Sequence, residues 1–337
     1  MTDSQDVKPT RILELSNSIF EPLAFLGGIK LDLFTTLANG PLTAAELGLR
    51  LNVRPRRLEL LLYALTATGL LDFDDGRFGN TPEAQTYLVK ESPKYMGYTH
   101  ALFDELWHSA FSTSETLRQK TPLAKHDYAT MSKQELQSYY RASLPAALAS
   151  ATQLLRLVDL SGAESIIDVG GGSGGLLVGL CQQIPTLRGT LVDHPNTCEI
   201  AGEIISRFHM AERIVTTAYD VTVDQPPGLY DLAIMRNFIQ VQSREQAGSA
   251  IRNIANTISP GGRLVIWGWV VDDNHLTPKE AALHNLVYLN FYDEGQAHTE
   301  RDHRQWLGDA GLSDFRRTYL PGGPSLIVAS KPAAKIS

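Results

Sequence analysis

The residues with the most chemical potential lie in the run Ile167-Asp168-Val169-Gly170-Gly171-Gly172-Ser173-Gly174-Gly175, behind an apolar segment that reads as a strand and ahead of one that reads as a helix. Gly170, Gly172 and Gly175 satisfy the G-x-G-x-x-G spacing, which lets a backbone come close to a nucleotide. Asp193 ends the next predicted strand about 20 residues on, where an acid accepts hydrogen bonds from ribose hydroxyls. The pattern implies a nucleotide-like cofactor. Asp168 stands two residues before the first glycine, and its carboxylate suits a cationic group better than a pyrophosphate. Tyr219-Asp220-Val221 follows a third predicted strand and sets another acid where an adenine amino group can donate to it. Together these features favour S-adenosyl-L-methionine (SAM) over NAD.

The elements that must position these residues alternate. Ser165 to Val169, Gly189 to Asp193, Ile214 to Thr216, Asp231 to Met235 and Arg263 to Trp267 are short apolar runs separated by helix-length segments, the pattern of a parallel sheet covered on both faces. Phe315 to Tyr319 and Ser325 to Ser330, joined through Pro321-Gly322-Gly323-Pro324, read as an antiparallel finish. Ahead of the sheet, Arg11 to Leu71 is helical. Thr43 with Glu46 forms a capping box, and Leu58, Leu61, Leu62 and Leu65 repeat at helical spacing from a start near Pro55. A predicted hairpin with an Asp-Gly turn follows over 69–78, completing a winged-helix order. The expected division is a winged-helix dimerisation domain over 1–92, a helical linker and substrate cover over 93–160, and a Rossmann-like domain over 161–337.

Composition narrows the function classes. The chain has 337 residues, 43% of them hydrophobic, and 30 Lys+Arg against 37 Asp+Glu give a formal charge of −7. That sign is wrong for holding nucleic acid through counterion release, and the helix that would read DNA, Pro55 to Ala64, is apolar after its two arginines. Self-association is the better use of that surface. Two cysteines, Cys181 and Cys198, make neither a disulfide framework nor a zinc site. No apolar run approaches the ~18 residues of a membrane span, and no signal peptide opens the chain, so a cytoplasmic protein without membrane partners is expected.

The run from Asp168 to Gly174, Leu191 to Pro195, Ala218 to Asp220, Ile258 to Leu264 and the terminal Gly322 to Ser325 together resemble the bacterial and plant small-molecule O-methyltransferases. The resemblance covers nearly the whole chain. It implies an α/β fold, with a mainly helical winged-helix dimerisation domain preceding a Rossmann-like domain whose parallel sheet ends in an antiparallel strand. It also implies a homodimer, SAM as cofactor, S-adenosyl-L-homocysteine (SAH) as product, and cofactor contacts from Gly170, Gly172, Asp193, Asp220, Val221 and Arg236, with Asp168 beside them.

The pattern then departs. O-methylating members carry a His that deprotonates the acceptor hydroxyl, and Gln240 stands there in this chain; glutamine is no base at neutral pH. A Glu orients that His in the family, and Ala297 stands there instead. An electron-rich carbon needs no hydroxyl deprotonated, so the departure points to C-methylation, and the chain is similar to indole C3-methyltransferases acting on tryptophan derivatives or tryptophan-containing cyclic dipeptides. O-methylation from a relocated base, SAM-bound chemistry without methyl transfer, and a SAM-sensing regulator are the alternatives. His100, in Tyr98-Thr99-His100 at the start of an aromatic helix, is the expected proton acceptor, with Tyr98 beside it. Phe103, Trp107, Tyr140 and Gln240 are expected to face the acceptor. His284, Tyr288 and Tyr292 recur at i, i+4, i+8 on one helix face; that spacing fits a ring-stacking surface and ordinary core alike. No metal site is expected.

Overall fold

The computed structural model describes residues 7–92 and 94–334, and the side chains of residues 98–103 lie outside the described set. The chain forms two compact units, Met1–Asp104 and Glu105–Ser337.

In the first unit, helices α1 (Thr10–Asn17), α2 (Phe20–Lys30), α3 (Leu33–Thr36), α4 (Ala44–Leu51) and α5 (Pro55–Ala67) lead to the hairpin β1 (Leu71–Asp74) and β2 (Arg77–Asn80), then α6 (Pro82–Tyr87) and α7 (Gly97–Phe111), within which the division falls. The Thr43 and Glu46 capping box forms as the spacing requires. Leu58, Leu62 and Leu65 of α5 are buried with Leu33, Phe34, Leu47, Leu71 and Phe78. The helix is less enclosed than its composition suggested, because Leu60 is 73% exposed on the far face. A second expectation is corrected here. The stretch Thr10–Lys30 is helical, 21 residues long and apolar enough to meet the length and composition of a membrane span. Ile12, Leu13, Leu15, Phe20 and Leu23 are exposed along it.

The second unit contains α8 (Thr113–Thr116), α9 (Lys133–Leu157), β3 (Ser165–Val169), α10 (Gly175–Gln183), β4 (Arg188–Asp193), α11 (Pro195–Arg207), β5 (Ile214–Ala218), β6 (Tyr230–Arg236), α12 (Arg244–Ala255), β7 (Ile258–Gly268), α13 (Lys279–Phe291), α14 (Glu300–Asp309), β8 (Ser313–Tyr319) and β9 (Ser325–Ser330). Its sheet has the order β5-β4-β3-β6-β7-β9-β8. The β3, β4, β5, β6 and β7 pairings are parallel, whereas β9 pairs antiparallel with both β7 and β8, so the expected antiparallel finish is present. Alternation along the strands sends Ile166, Leu232, Ile234 and Val265 into a core shared with α9, α10 and α11. Ile167, Ala233, Met235, Leu264 and Ile266 enter a second core with α12 and α14.

From β3 the chain runs outward to β4 and β5, then returns across the sheet to β6. The strand order therefore reverses between β3 and β6, and the carboxyl ends of those strands diverge into a crevice. Helix α10 must start close beneath that crevice, and glycine makes this possible. A Cβ on Gly179 would lie 2.7 Å from the Ala151 Cβ and 2.9 Å from the Leu148 carbonyl oxygen of α9. Gly179→Ala is expected to lower the unfolding free energy by about 1–3 kcal/mol through overpacking. Gly308→Ala, on a helix face with open space, is expected to raise it by about 0.5–1 kcal/mol. Urea denaturation of both variants checks this, and equal losses would contradict the close packing of α9 on α10.

Candidate active site

The crevice gathers residues from three strand ends. β3 delivers Asp168 and the glycine loop, β4 delivers Asp193, and β6 delivers Arg236. Gly170, Gly172 and Gly174 all adopt positive φ, at 64°, 54° and 73°, which an L side chain resists. This backbone path aims the Gly172 N–H at Asp193, donating to Oδ2 at 3.0 Å, while the His194 N–H donates to Oδ1 at 2.8 Å. Tyr140 on α9 props the loop from below: its ring lies 3.0 Å from where a Gly172 Cβ would sit, and its hydroxyl shares a 2.9 Å hydrogen bond with Thr197. Val221 is buried, and Asp220 is exposed with Oδ1 holding its own turn through the Thr222 N–H and hydroxyl.

Asp168 is the electrostatic centre. It is 1% exposed, and neither carboxylate oxygen has a hydrogen-bond partner. Burial pushes its pKa up to about 7, with nearby Arg236 opposing the shift and Asp193 adding to it. An ionised carboxylate left unpaired in a dry interior is costly, so the position calls for a cationic or hydrogen-donating ligand. The residues present fit SAM on this observation: an orphaned acid for an ammonium, a second acid at a strand end for ribose, and a glycine loop that adds no side chain of its own at Gly170, Gly171 and Gly172.

The expected base position holds no base. Gln240 is 4% exposed, and its Nε2 donates to Asn237 Oδ1 at 3.1 Å. Its carboxamide occupies space that Gly268 leaves open, since a Cβ on Gly268 would lie 2.5 Å from Gln240 Oε1. Asn237 adopts a left-handed backbone with φ 54°, and its N–H donates to the Trp267 carbonyl, which turns the chain sharply off β6. Ala297 is buried alongside Val271 and Tyr288. No carboxylate therefore reaches Gln240 from Gly268 or Ala297. The Gly268 contribution was missed in the sequence, where only a glycine directly after a predicted strand hinted at a close approach.

Helix α13 presents the expected aromatic face. The His284 and Tyr288 rings meet edge to face at 5.5 Å, and Tyr292 follows at 6.2 Å. Trp269, not singled out beforehand, stacks on His284 at 3.9 Å and 11°. Burial pushes the His284 pKa down to about 4, so the imidazole is neutral at physiological pH. The Tyr288 hydroxyl is buried beside Gln240. Tyr292 belongs to a phenol cluster also missed in the sequence: Tyr128 Oη donates to Tyr139 Oη at 3.1 Å and lies 3.0 Å from Tyr292 Oη. The side chains of Tyr98, His100 and Phe103 lie outside the described residues, and Trp107 is partly buried on α7.

A family model described as the O-methyltransferase domain matches residues 104–313, and one described as the O-methyltransferase dimerisation domain matches residues 13–90. The 3-hydroxy-5-methyl-1-naphthoate 3-O-methyltransferase of Streptomyces sahachiroi is 32% identical over 330 residues, spanning 96% of this chain and 95% of that one. The L-tyrosine C(3)-methyltransferase of Streptomyces lavendulae is 25% identical over 321 residues, spanning 90% of this chain and 87% of its own. The structure of human N-acetylserotonin methyltransferase in complex with SAM matches with a TM-score of 0.82 at 22% identity, covering 98% of this chain and 99% of that one, a likeness of fold. With its dimerisation segment and its glycine crevice both matched, the chain belongs to the O-methyltransferase family and is a SAM-dependent methyltransferase.

Proposed function

We propose that this chain methylates an electron-rich aromatic carbon of a small acceptor in specialised metabolism, with indole C3 of a tryptophan derivative or a tryptophan-containing cyclic dipeptide as the acceptor atom. The observation that carries the reading is Gln240, held on Asn237 and packed against Gly268 where an alcohol-activating base would stand. The relative named L-tyrosine C(3)-methyltransferase supports carbon as the target. SAM, when bound, supplies a methyl group on a positively charged sulfur. Asp168, Gly170, Gly172, Asp193, Asp220 and Val221 would hold it, Asp168 meeting the ammonium and Asp193 the ribose, with Arg236 bordering them.

The aromatic face of α13 and Trp269 hold a flat ring in line, and positioning alone supplies much of the rate. With SAM bound, the ring held on this face would form the new carbon–carbon bond with its own π electrons, the electron pair of the broken bond staying with the departing sulfur. The cationic ring then loses a proton, which we assign to His100, with Tyr98 orienting it. Aromatic faces favour the cationic intermediate. Pairing of two copies through the N-terminal unit accounts for the exposed apolar residues of Thr10–Lys30. A second reading, O-methylation of an acceptor whose proton goes to a relocated base, is favoured by the 32% identical relative, named as a 3-O-methyltransferase.

Incubation with methyl-labelled SAM and a panel of indoles, cyclic dipeptides and phenols, followed by locating the label, separates the readings. Label on a ring carbon is expected, with His100→Ala lowering kcat at least ~100-fold and leaving SAM affinity unchanged. Ether formation would overturn the carbon assignment, and wild-type turnover by His100→Ala would overturn the base.

Asp168 sets the pH dependence of cofactor binding. Its raised pKa of about 7 means that the free protein carries a proton there below neutrality, and this proton must leave before an ammonium can pair. SAM affinity is therefore expected to fall as pH drops from 7 to 6, by at most about tenfold, and Asp168→Asn to flatten that slope. Calorimetric titration across this window checks it; a wild-type slope that persists in Asp168→Asn would contradict it.

A further inference from the structure

The terminal turn Pro321-Gly322-Gly323-Pro324 joins β8 to β9. It is closed by the Leu320 N–H, which donates to the Pro324 carbonyl at 2.8 Å, and by the Gly323 N–H, which donates to the Leu320 carbonyl at 3.2 Å. Sheet register brings the turn to the aromatic face: Ser325, which follows it, pairs with Gly268 at the end of β7, and Trp269 comes next. The two glycines differ in what surrounds them. Both hold positive φ, 83° at Gly322 and 102° at Gly323, yet a Cβ on Gly322 would meet open space. A Cβ on Gly323 would lie 2.8 Å from Trp269 Cζ3 and closer still to Glu280 Cβ.

Those two neighbours belong to the two halves of one ring pair. Trp269 stacks on His284 at 3.9 Å and 11°, and His284 stands four residues after Glu280, on the same side of α13. Gly323 therefore lies against both the end of β7 and the first turn of α13, where the two must meet for the rings to stack. The backbone on either side of Trp269 is held as well. Gly268 is in the ladder with Ser325, and the Val270 carbonyl accepts from Arg317 Nη2 at 2.7 Å. The Arg317 side chain is 2% exposed and donates also to Ser325 Oγ, Asp272 Oδ1 and Glu300 Oε2, at 3.1, 2.6 and 3.1 Å. With the backbone pinned, the freedom left to Trp269 is in its side-chain torsions, and the turn fills the space beside its six-membered ring.

We infer that Gly323 is a specificity-determining position: the β8–β9 turn seats Trp269 against α13 and so sets the shape of the wall on which the acceptor ring lies. The inference rests on the reading that this aromatic face holds a flat acceptor, and it is indifferent to whether carbon or oxygen is methylated. A side chain at 323 has no free volume to enter. It must displace the Trp269 ring or α13, and either movement opens the stack. Glycine is thus required at 322 by the turn alone, and at 323 by the acceptor wall.

The test compares Gly323→Ala with Gly322→Ala, which shares the left-handed backbone strain and adds no contact. The near-ultraviolet circular dichroism of Trp269, identified by difference against Trp269→Phe, needs no acceptor. It is expected to change in Gly323→Ala and to persist in Gly322→Ala. Steady-state kinetics then use whichever indole, cyclic dipeptide or phenol takes methyl from SAM. Gly323→Ala is expected to raise the acceptor KM at least ~10-fold with SAH affinity within ~2-fold of wild type, and Gly322→Ala to leave both within ~2-fold. In a Trp269→Ala background, Gly323→Ala is expected to add less than ~3-fold to KM, because the turn can shift into the vacated space. Equal KM shifts in the two glycine variants, or a full effect retained without the indole, would overturn the inference. If Gly323→Ala does not fold, Trp269→Phe carries the test, since it leaves the turn intact and opens a gap against it; a KM raised at least ~10-fold supports the seat, and an unchanged KM overturns it. An unaltered Trp269 signal in Gly323→Ala would overturn the seat itself, whereas an altered signal with an unchanged KM would overturn the reading that the acceptor lies on this face.

Discussion

The structure turns on an acid that has been buried without a partner. Asp168 sits at the end of a central strand, 1% exposed, with both oxygens unsatisfied. Such a group destabilises the free protein when ionised and is tolerated because a strand order that reverses between β3 and β6 already opens a crevice beside it. The apolar alternation of the strands buries both faces of the sheet beneath that crevice. Its floor is set by glycines that let α9 and α10 touch, and its rim by the three positive-φ glycines of the loop. Charge at the crest is therefore sparse: β3 and β4 each bring one acid, and β6 brings one guanidinium that acts on Asp168.

Much of this was legible in the amino-acid sequence, because the signals were local. The glycine run, the acid ending the next strand, the capping box at Thr43 and Glu46 and the antiparallel finish each follow from a short pattern, and each is present in the fold. The face formed by His284, Tyr288 and Tyr292 was legible from spacing alone, although spacing could not choose between core and binding surface. What stayed hidden depends on contacts between distant segments. Trp269 meets His284 only when the end of β7 and α13 are folded together, and Tyr128 meets Tyr292 across 164 positions of chain. The role of Gly268 was invisible for the same reason: it is defined by the side chain of Gln240 filling the space above it.

The chemistry draws on both kinds of feature. The 32% identical relative is named as an O-methyltransferase. The proposed distinction lies at Gln240, whose carboxamide fills the space beside Gly268, and at the buried Ala297. A neutral imidazole stacked on indole, and phenols whose protons are held firmly, make the surroundings of the acceptor aromatic and weakly polar. Such a surface suits a ring that attacks with its own electrons better than an alcohol that must first be ionised.

The central claim is that Gln240 takes no part in proton transfer. The turnover of Gln240→Ala, measured at saturating SAM across pH 6 to 9 on the acceptor that wild-type enzyme methylates, tests it most directly. The account expects a rate within about tenfold of wild type and an unchanged pH profile. A loss of ~1,000-fold with disappearance of a titration seen in the wild type would contradict it, because the amide would then belong to the proton path.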